Sequence, residues 1–223
     1  MDLIRKCNLC SWPLVKISTN QFGLRCLNCR STFIHRAMGE VLINQNFNSD
    51  LIVHEFSAHG AIFKWLRKKF SSLTYSEYFD NTPSGEKVNG IPCQNLENLS
   101  LPNCYYDLCI STEVFEHVAH DALGFKEVCR ILKTNGQFIF TVPLEDNEET
   151  IERAIIRDKV LVHLLEPEYH GDHLRNKGIL AFRNYGLDIK KRLLDAGFSK
   201  VIIHMIENKR KGIFKKKVVQ AIK

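Results

Sequence analysis

Four of the eight cysteines in this 223-residue chain stand as Cys7-Asn8-Leu9-Cys10 and Cys26-Leu27-Asn28-Cys29, two C-x2-C pairs separated by fifteen residues. Two residues between sulfurs let a tight turn aim both at one point, and two such turns make the four-thiolate tetrahedron that zinc takes. With sulfur in every position the ion has no open site for water or substrate, so Cys7, Cys10, Cys26 and Cys29 are expected to hold a structural zinc. A module of about forty residues buries little surface alone, so the metal supplies most of its folding free energy. The segment between the pairs is long enough for a short hairpin joining the two knuckles.

Carboxylates and imidazoles form a second group. In Glu113-Val114-Phe115-Glu116-His117 the three- and four-residue spacing would put Glu113 beside Glu116 and His117 on one helical face, where a hard divalent ion could sit or His117 could act as a base. Further on, Glu168-Tyr169-His170-Gly171-Asp172-His173 is dense in titratable groups and begins beside a proline; it reads as a substrate-facing lid within a long insertion. Glu55 and Glu77 are the remaining acids of interest, and their meaning depends on the elements that carry them.

From residue 51 short apolar runs alternate with amphipathic segments, the pattern of a parallel sheet flanked by helices. Strands are predicted at 51–56, 73–77, 89–93, 106–111 and 136–142, with helices over 61–70 and around 123–132. The tail adds a helix ending at Gly197-Phe198 and a hairpin, 201–206 with 213–222, whose last strand runs antiparallel. The fold class is α/β, a Rossmann-like doubly wound sheet preceded by a small zinc-binding module. The module covers 1–36, a connector helix 37–50, and the large domain 51–223, with a substrate-side insertion over 144–184. His35 and Arg36, at the start of the connector, are expected on its solvent face. In such sheets ligands bind beyond the carboxyl ends of the strands. Glu55 closes the first strand and is followed by the small residues Ser57, Ala58 and Gly60. Glu77 closes the second about twenty residues later, where an acid can accept both hydroxyls of a ribose.

Three stretches carry a resemblance: Asn95 to Pro102; Tyr106 to Val118, with Glu116-His117-Val118 at its end; and Glu127 to Gly136, followed by Thr141-Val142-Pro143. Over roughly residues 50 to 222 the chain resembles the class I S-adenosylmethionine-dependent methyltransferases, type 11-like. The resemblance implies S-adenosyl-L-methionine as cofactor. It implies that Glu55, Ser57 and Gly60 line its methionine and ribose side, that Glu77 holds the ribose hydroxyls, that Asn95 and Leu96 flank adenine, and that Ser111 ends the fourth strand on the cofactor side. Two departures stand out: the usual glycine-rich loop is Glu55-Phe56-Ser57-Ala58-His59-Gly60 with one glycine, and Asn95 replaces the adenine-loop acid. The E-x-x-E-H spelling is similar to ubiquinone-pathway O-methyltransferases and small-RNA 2'-O-methyltransferases, in which these residues and a later histidine hold magnesium or a similar ion. That implies a second divalent ion at Glu113, Glu116, His117 and His170. Methyl transfer requires alignment and exclusion of water rather than a nucleophilic side chain, and a base only for a protonated acceptor, which makes His117, His170 and Glu116 the catalytic candidates.

Composition limits the partners. With 44% apolar and 25% charged residues the chain is globular, and no apolar run reaches the ~20 residues of a membrane span. Met1 to Cys7 lacks the apolar stretch of a signal peptide, so the chain is expected to be cytoplasmic. The net charge of +6 is concentrated at the ends, with a lysine cluster at 215–217 placed on or beside an edge strand. Three functions are compatible with this: methylation of an O or N atom of a small-molecule or glycan-type acceptor, methylation of RNA held by the knuckles and the C-terminal lysines, or a non-catalytic binding protein that kept the fold. No protein partner is deducible.

Overall fold

A computed structural model describes residues 5–223; residues 1–4, with which the expected module begins, lie outside them. The knuckles are joined by an antiparallel hairpin, β1 (Leu14–Lys16) and β2 (Leu24–Cys26), followed by α1 (Phe33–Asn44). The large domain contains β3 (Ile52–Glu55), α2 (Gly60–Lys69), β4 (Ser72–Tyr75), β5 (Lys87–Val88), β6 (Ile91–Pro92), β7 (Tyr106–Thr112), α3 (Asp121–Ile131) and β8 (Leu132–Thr141). The insertion contributes short pairs from β9 (Ile151–Glu152), β10 (Ala154–Arg157), β11 (Val160–His163), β12 (Tyr169–His170), β13 (Ile179–Leu180) and β14 (Arg183–Asn184). The chain closes with α4 (Ile189–Asp195), β15 (Lys200–Asn208) and β16 (Ile213–Ile222).

Six strands form one sheet in the order β15-β16-β8-β7-β3-β4; β4, β3, β7 and β8 are parallel, and β16 runs antiparallel to both neighbours. Alternation along the strands divides the core between two faces. Val53, Leu108, Ile110, Ile139 and Val218 pack under α1 and α2, against Ala37, Met38, Val41, Ile62 and Leu66. Cys109, Phe138, Phe140, Val219 and Ala221 face α3 and α4, where Phe115 and Phe125 stack at 4.5 Å between centroids. Helix α2 carries Arg67, Lys68 and Lys69 in its last turn, charges that suit the negative end of the helix dipole. Among the described residues no helix is long and apolar enough to cross a membrane.

The structure departs from expectation in four places. The connector helix starts at Phe33, only four residues after Cys29, so the cysteine module runs into α1 without a linker. Arg36 is fully buried, not solvent-facing: its guanidinium donates to the carbonyls of Ser31 (2.6 Å), Leu24 (3.1 Å) and Gly212 (2.9 Å), tying knuckle, hairpin and the β15–β16 turn together. Gly212 is left-handed (φ 62°), and a Cβ there would come within 2.8 Å of Leu24 and Leu14, so the turn needs glycine to let the hairpin dock. The expected third strand is reduced to the β5–β6 hairpin and one parallel bridge between Glu77 and Cys93, because Pro92 removes a ladder donor. Finally, the lysine-bearing β16 lies beside the edge strand β15, but two of its lysines are turned inward instead of to solvent. Lys216 and Lys217 are nearly buried: Lys216 bonds Glu113 and the Val142 carbonyl (both 2.9 Å), and Lys217 pairs with Asp146 (2.6 Å) and donates to the Glu145 carbonyl.

Candidate active site

Three loops leave the carboxyl ends of β3, β4 and β7 on the same side of the sheet, and with the insertion and the cysteine module they enclose a cleft of about 660 Å³. Its lining combines Phe56, Ser57, Glu77, Gln94, Asn95 and Leu96 with the apolar side chains of Phe22, Ile34, Ile156, Ile179, Leu180 and Phe182, and with Thr112, Glu113 and His117 at and beyond the end of β7. The size lies within the ~300–1,000 Å³ of small-molecule sites.

Glu77 lies two residues beyond β4 rather than at its end, held by the bridge to Cys93. Its Oε1 accepts from the Ala58 amide (2.8 Å), the Ser57 hydroxyl (3.1 Å) and His59 Nδ1 (3.2 Å), and His173 Nε2 from the insertion stands at 3.7 Å. All of these converge on one oxygen, so among the described residues Oε2 is the one available to a ligand. Burial works against its charge, but the His59 and Ala58 bonds outweigh it and hold the carboxyl below its ordinary pKa. Leu96 and Asn95 lie on the same wall; the Asn95 side-chain oxygen already accepts from the Glu97 amide (2.9 Å). Gly60 opens α2 at φ 87° and does not line the cleft itself; a Cβ there would stand 3.8 Å from Nε2 of His35, which does. Glu55 and Ser111 sit behind the cleft, 1% and 0% exposed; burial, reinforced by Glu77, raises the Glu55 pKa far above normal, so it is a neutral acid in the floor.

Glu116, His117 and His170 come together. Their ligand atoms lie within 4.8 Å of one another, with Glu116 Oε1 3.7 Å from His117 Nε2 and 3.6 Å from His170 Nδ1. Glu116 is fully buried and neither of its oxygens has a hydrogen-bond partner. His117 Nδ1 lies 2.8 Å from the Leu180 carbonyl; this bond fixes the proton on Nδ1 and leaves Nε2 as the acceptor nitrogen. The Glu116 contact raises the His170 pKa, against desolvation, with Glu168 adding to it. Glu113 does not belong to this group. The segment forms a single 3-10 turn, Phe115–His117, instead of an α-helix, and Glu113 is left-handed (φ 53°) at the end of β7 with its carboxylate on Lys216.

The four cysteines also converge: their sulfurs lie within 4.8 Å of one another, with Cys10–Cys26 at 3.3 Å and Cys7–Cys29 at 3.7 Å. Metal–sulfur bonds of about 2.3 Å at tetrahedral angles place sulfurs about 3.8 Å apart, so the donor set fits such an ion. Residues missed in the sequence are Phe22, Ile34 and His35 from the module, together with His59 and the lid contacts of Arg175. Arg175 fastens the lid by gripping Asp80 (2.8 and 2.9 Å) and Asp172. The positions of Arg175 and Asp80 are ninety-five residues apart, and no local pattern signals such a pair.

Residues 57–140 match the family described as methyltransferase domain. A search of curated proteins returns no match. Similar solved structures include an S-adenosylmethionine-dependent methyltransferase from Mesorhizobium loti (15% identity, 84% of this chain and 98% of that one, TM-score 0.53). Others are the glycopeptide N-methyltransferase MtfA complexed with S-adenosyl-L-methionine (15%, 83% and 92%, TM-score 0.52) and a Haloferax volcanii complex with the Trm112 methyltransferase activator (14%, 85% and 89%, TM-score 0.52). The likeness to these structures is one of fold, and the strand order and the cleft at the strand tips are consistent with the matched segment. Behind its four-cysteine module, this chain has the fold of these methyltransferases, and its residues 57–140 match the methyltransferase-domain family.

Proposed function

We propose that the protein transfers the methyl group of S-adenosylmethionine to an O or N atom of a small-molecule or glycan-type acceptor by in-line displacement. The observation that carries this is one cleft lined both by Glu77, whose Oε2 has no partner among the described residues, and by the apolar side chains of Phe22, Ile34, Ile179, Leu180 and Phe182. Glu77 receives the ribose hydroxyls, Asn95 and Leu96 border the adenine, and Ser57 and Gly60 leave room for the methionyl chain. Bound there, the sulfonium supplies the methyl group. The side chains of this protein align the acceptor and keep the cleft dry, through Phe22 and Ile34 from the module and Ile179, Leu180 and Phe182 from the insertion.

For a hydroxyl acceptor the base is His117. Its Nε2 is the acceptor nitrogen, and a proton taken there meets the unpartnered Glu116 carboxylate 3.7 Å away, with His170 behind it. The same three groups offer two imidazoles and one carboxylate to a divalent ion, without Glu113. The four cysteines hold a structural zinc. Elemental analysis reads both sites: one equivalent of zinc per chain assigns Glu116 and His117 to acid–base work, whereas a second metal lost in Glu116→Gln assigns them to an ion.

Lys216 and Lys217 are occupied by Glu113, Asp146 and backbone carbonyls, which favours the small acceptor over RNA. The test is transfer of labelled methyl from S-adenosylmethionine into the low-molecular-weight and RNA fractions of a cell extract at several salt concentrations. Salt-insensitive label in the small fraction is expected. Label in RNA that falls steeply with salt supports the RNA reading, and label in neither overturns the catalytic one.

A further inference from the structure

We propose that the cysteine module contributes directly to cofactor binding through His35, whose Nε2–H donates to the methionyl carboxylate of the cofactor at the start of α2. This rests on the cofactor reading above. His35 is the third residue of α1, and its Nδ1 accepts from the Thr32 amide (3.2 Å), with the Thr32 hydroxyl at 2.7 Å. An Nδ1 used as acceptor places the ring proton on Nε2. Burial lowers the His35 pKa to about 4, so the ring is neutral at pH 7 and offers one N–H. That N–H faces the cleft with no partner among the described residues.

Its nearest neighbour is the corner opened by Gly60, whose missing side chain leaves Nε2 3.8 Å from the place a Cβ would take. Here α2 begins. Its N-cap residue, His59, makes no side-chain cap, and its first turn contains no acid, so the free amides of that turn add positive partial charge beside the His35 donor. The loop Ser57–Gly60 starts on the Glu77 carboxylate, through the Ala58 amide at 2.8 Å, and ends at this corner. A nucleoside held by its sugar at Glu77 therefore has its anionic tail at His35. The donor is set by the module: Ser31, whose hydroxyl is 3.2 Å from Cys7 Sγ, precedes the N-cap Thr32 that orients the ring.

The experiment compares two ligands on the zinc-loaded full chain by calorimetric titration: S-adenosylhomocysteine, which has the methionyl-type tail, and 5'-methylthioadenosine, which lacks the amino-acid part. His35→Asn keeps an acceptor for the Thr32 amide but removes the Nε2–H. It is expected to weaken S-adenosylhomocysteine ~10- to 100-fold, the range of a hydrogen bond to a charged group, and to leave 5'-methylthioadenosine within twofold. His35→Gln, with an amide N–H near the Nε2 position, is expected to recover most of the loss. Equal weakening of both ligands by His35→Asn, or unchanged S-adenosylhomocysteine affinity, overturns this inference while leaving the cofactor reading intact. Wild-type protein that binds neither ligand overturns both.

Discussion

At the residue scale, the site works by leaving particular polar atoms without protein partners. Glu116 has two such oxygens beside His117, and this makes His117 the residue whose loss should separate chemistry from binding. His117→Asn is expected to lower kcat about 10²- to 10⁴-fold, the usual worth of a general base, with S-adenosylhomocysteine affinity within twofold; steady-state kinetics beside a titration checks it. His54 shows the opposite arrangement, with every polar atom satisfied. It lies in β3, bonded to Thr74 Oγ1 (2.8 Å) and Ser76 Oγ (3.1 Å), and burial lowers its pKa to about 3. Between pH 6.5 and 3 the unfolded chain binds a proton at this position that the folded chain refuses, so His54 makes stability fall as pH falls through that window, by about 1.4 kcal/mol per pH unit at most. Urea denaturation across this range should show a shallower acid slope for His54→Gln than for wild type; parallel slopes contradict the assignment. Glu55 titrates in the other direction, its raised pKa costing stability as pH rises, and comparing the two chains cancels it. The cysteines were legible from spacing alone, and Ser57 and Glu77 as residues of the strand tips, whereas Leu96 entered only through the family resemblance. Glu55 was legible as a strand end but not as a buried neutral acid, because its surroundings come from β4 and β7.

At the element scale, α1 does more than connect. Its first turn carries Ile34 and His35 into the cleft, while Arg36 faces inward and satisfies three carbonyls from three segments. Arg36→Met would remove a donor from each of the three, of which only the Ser31 carbonyl keeps another, the Cys26 amide at 3.2 Å, at ~1–3 kcal/mol for each carbonyl left unpaired. A loss of roughly 3 kcal/mol or more in a urea titration is expected, and a loss under ~1 kcal/mol would show that the module docks by apolar contact alone. The sequence pattern identified the strands that bury both faces and the helices between them, because that periodicity is local. It put the lysine cluster on or beside an edge strand, and β16 lies beside the edge strand β15, but nothing in Lys215-Lys216-Lys217 shows that Glu113 and Asp146 wait for the ammonium groups of Lys216 and Lys217. It also read an α-helix into Glu113–His117, where the left-handed Glu113 and one 3-10 turn send its carboxylate to Lys216 and that of Glu116 to the histidines.

At the scale of the whole molecule, the four-cysteine module and the strand tips that carry the proposed cofactor site line one cleft, so on the proposed reading the two should not be thermodynamically independent. Removing zinc with a chelator is expected to abolish amide protection across residues 7–31 and to lower the affinity for S-adenosylhomocysteine, while protection of β7 and β8 persists; hydrogen exchange with and without chelator reads this. Unchanged cofactor affinity after loss of the module's protection would mean that the wall contributed by Phe22, Ile34 and His35 is passive. The central claim is that a nucleoside thioether lies across the strand tips with its sugar on Glu77. Calorimetric titration of S-adenosylhomocysteine into wild type and Glu77→Gln tests it most directly. One ligand per chain, weakened at least tenfold by the substitution, is the predicted result; no binding to wild type, or equal binding to both chains, would contradict it.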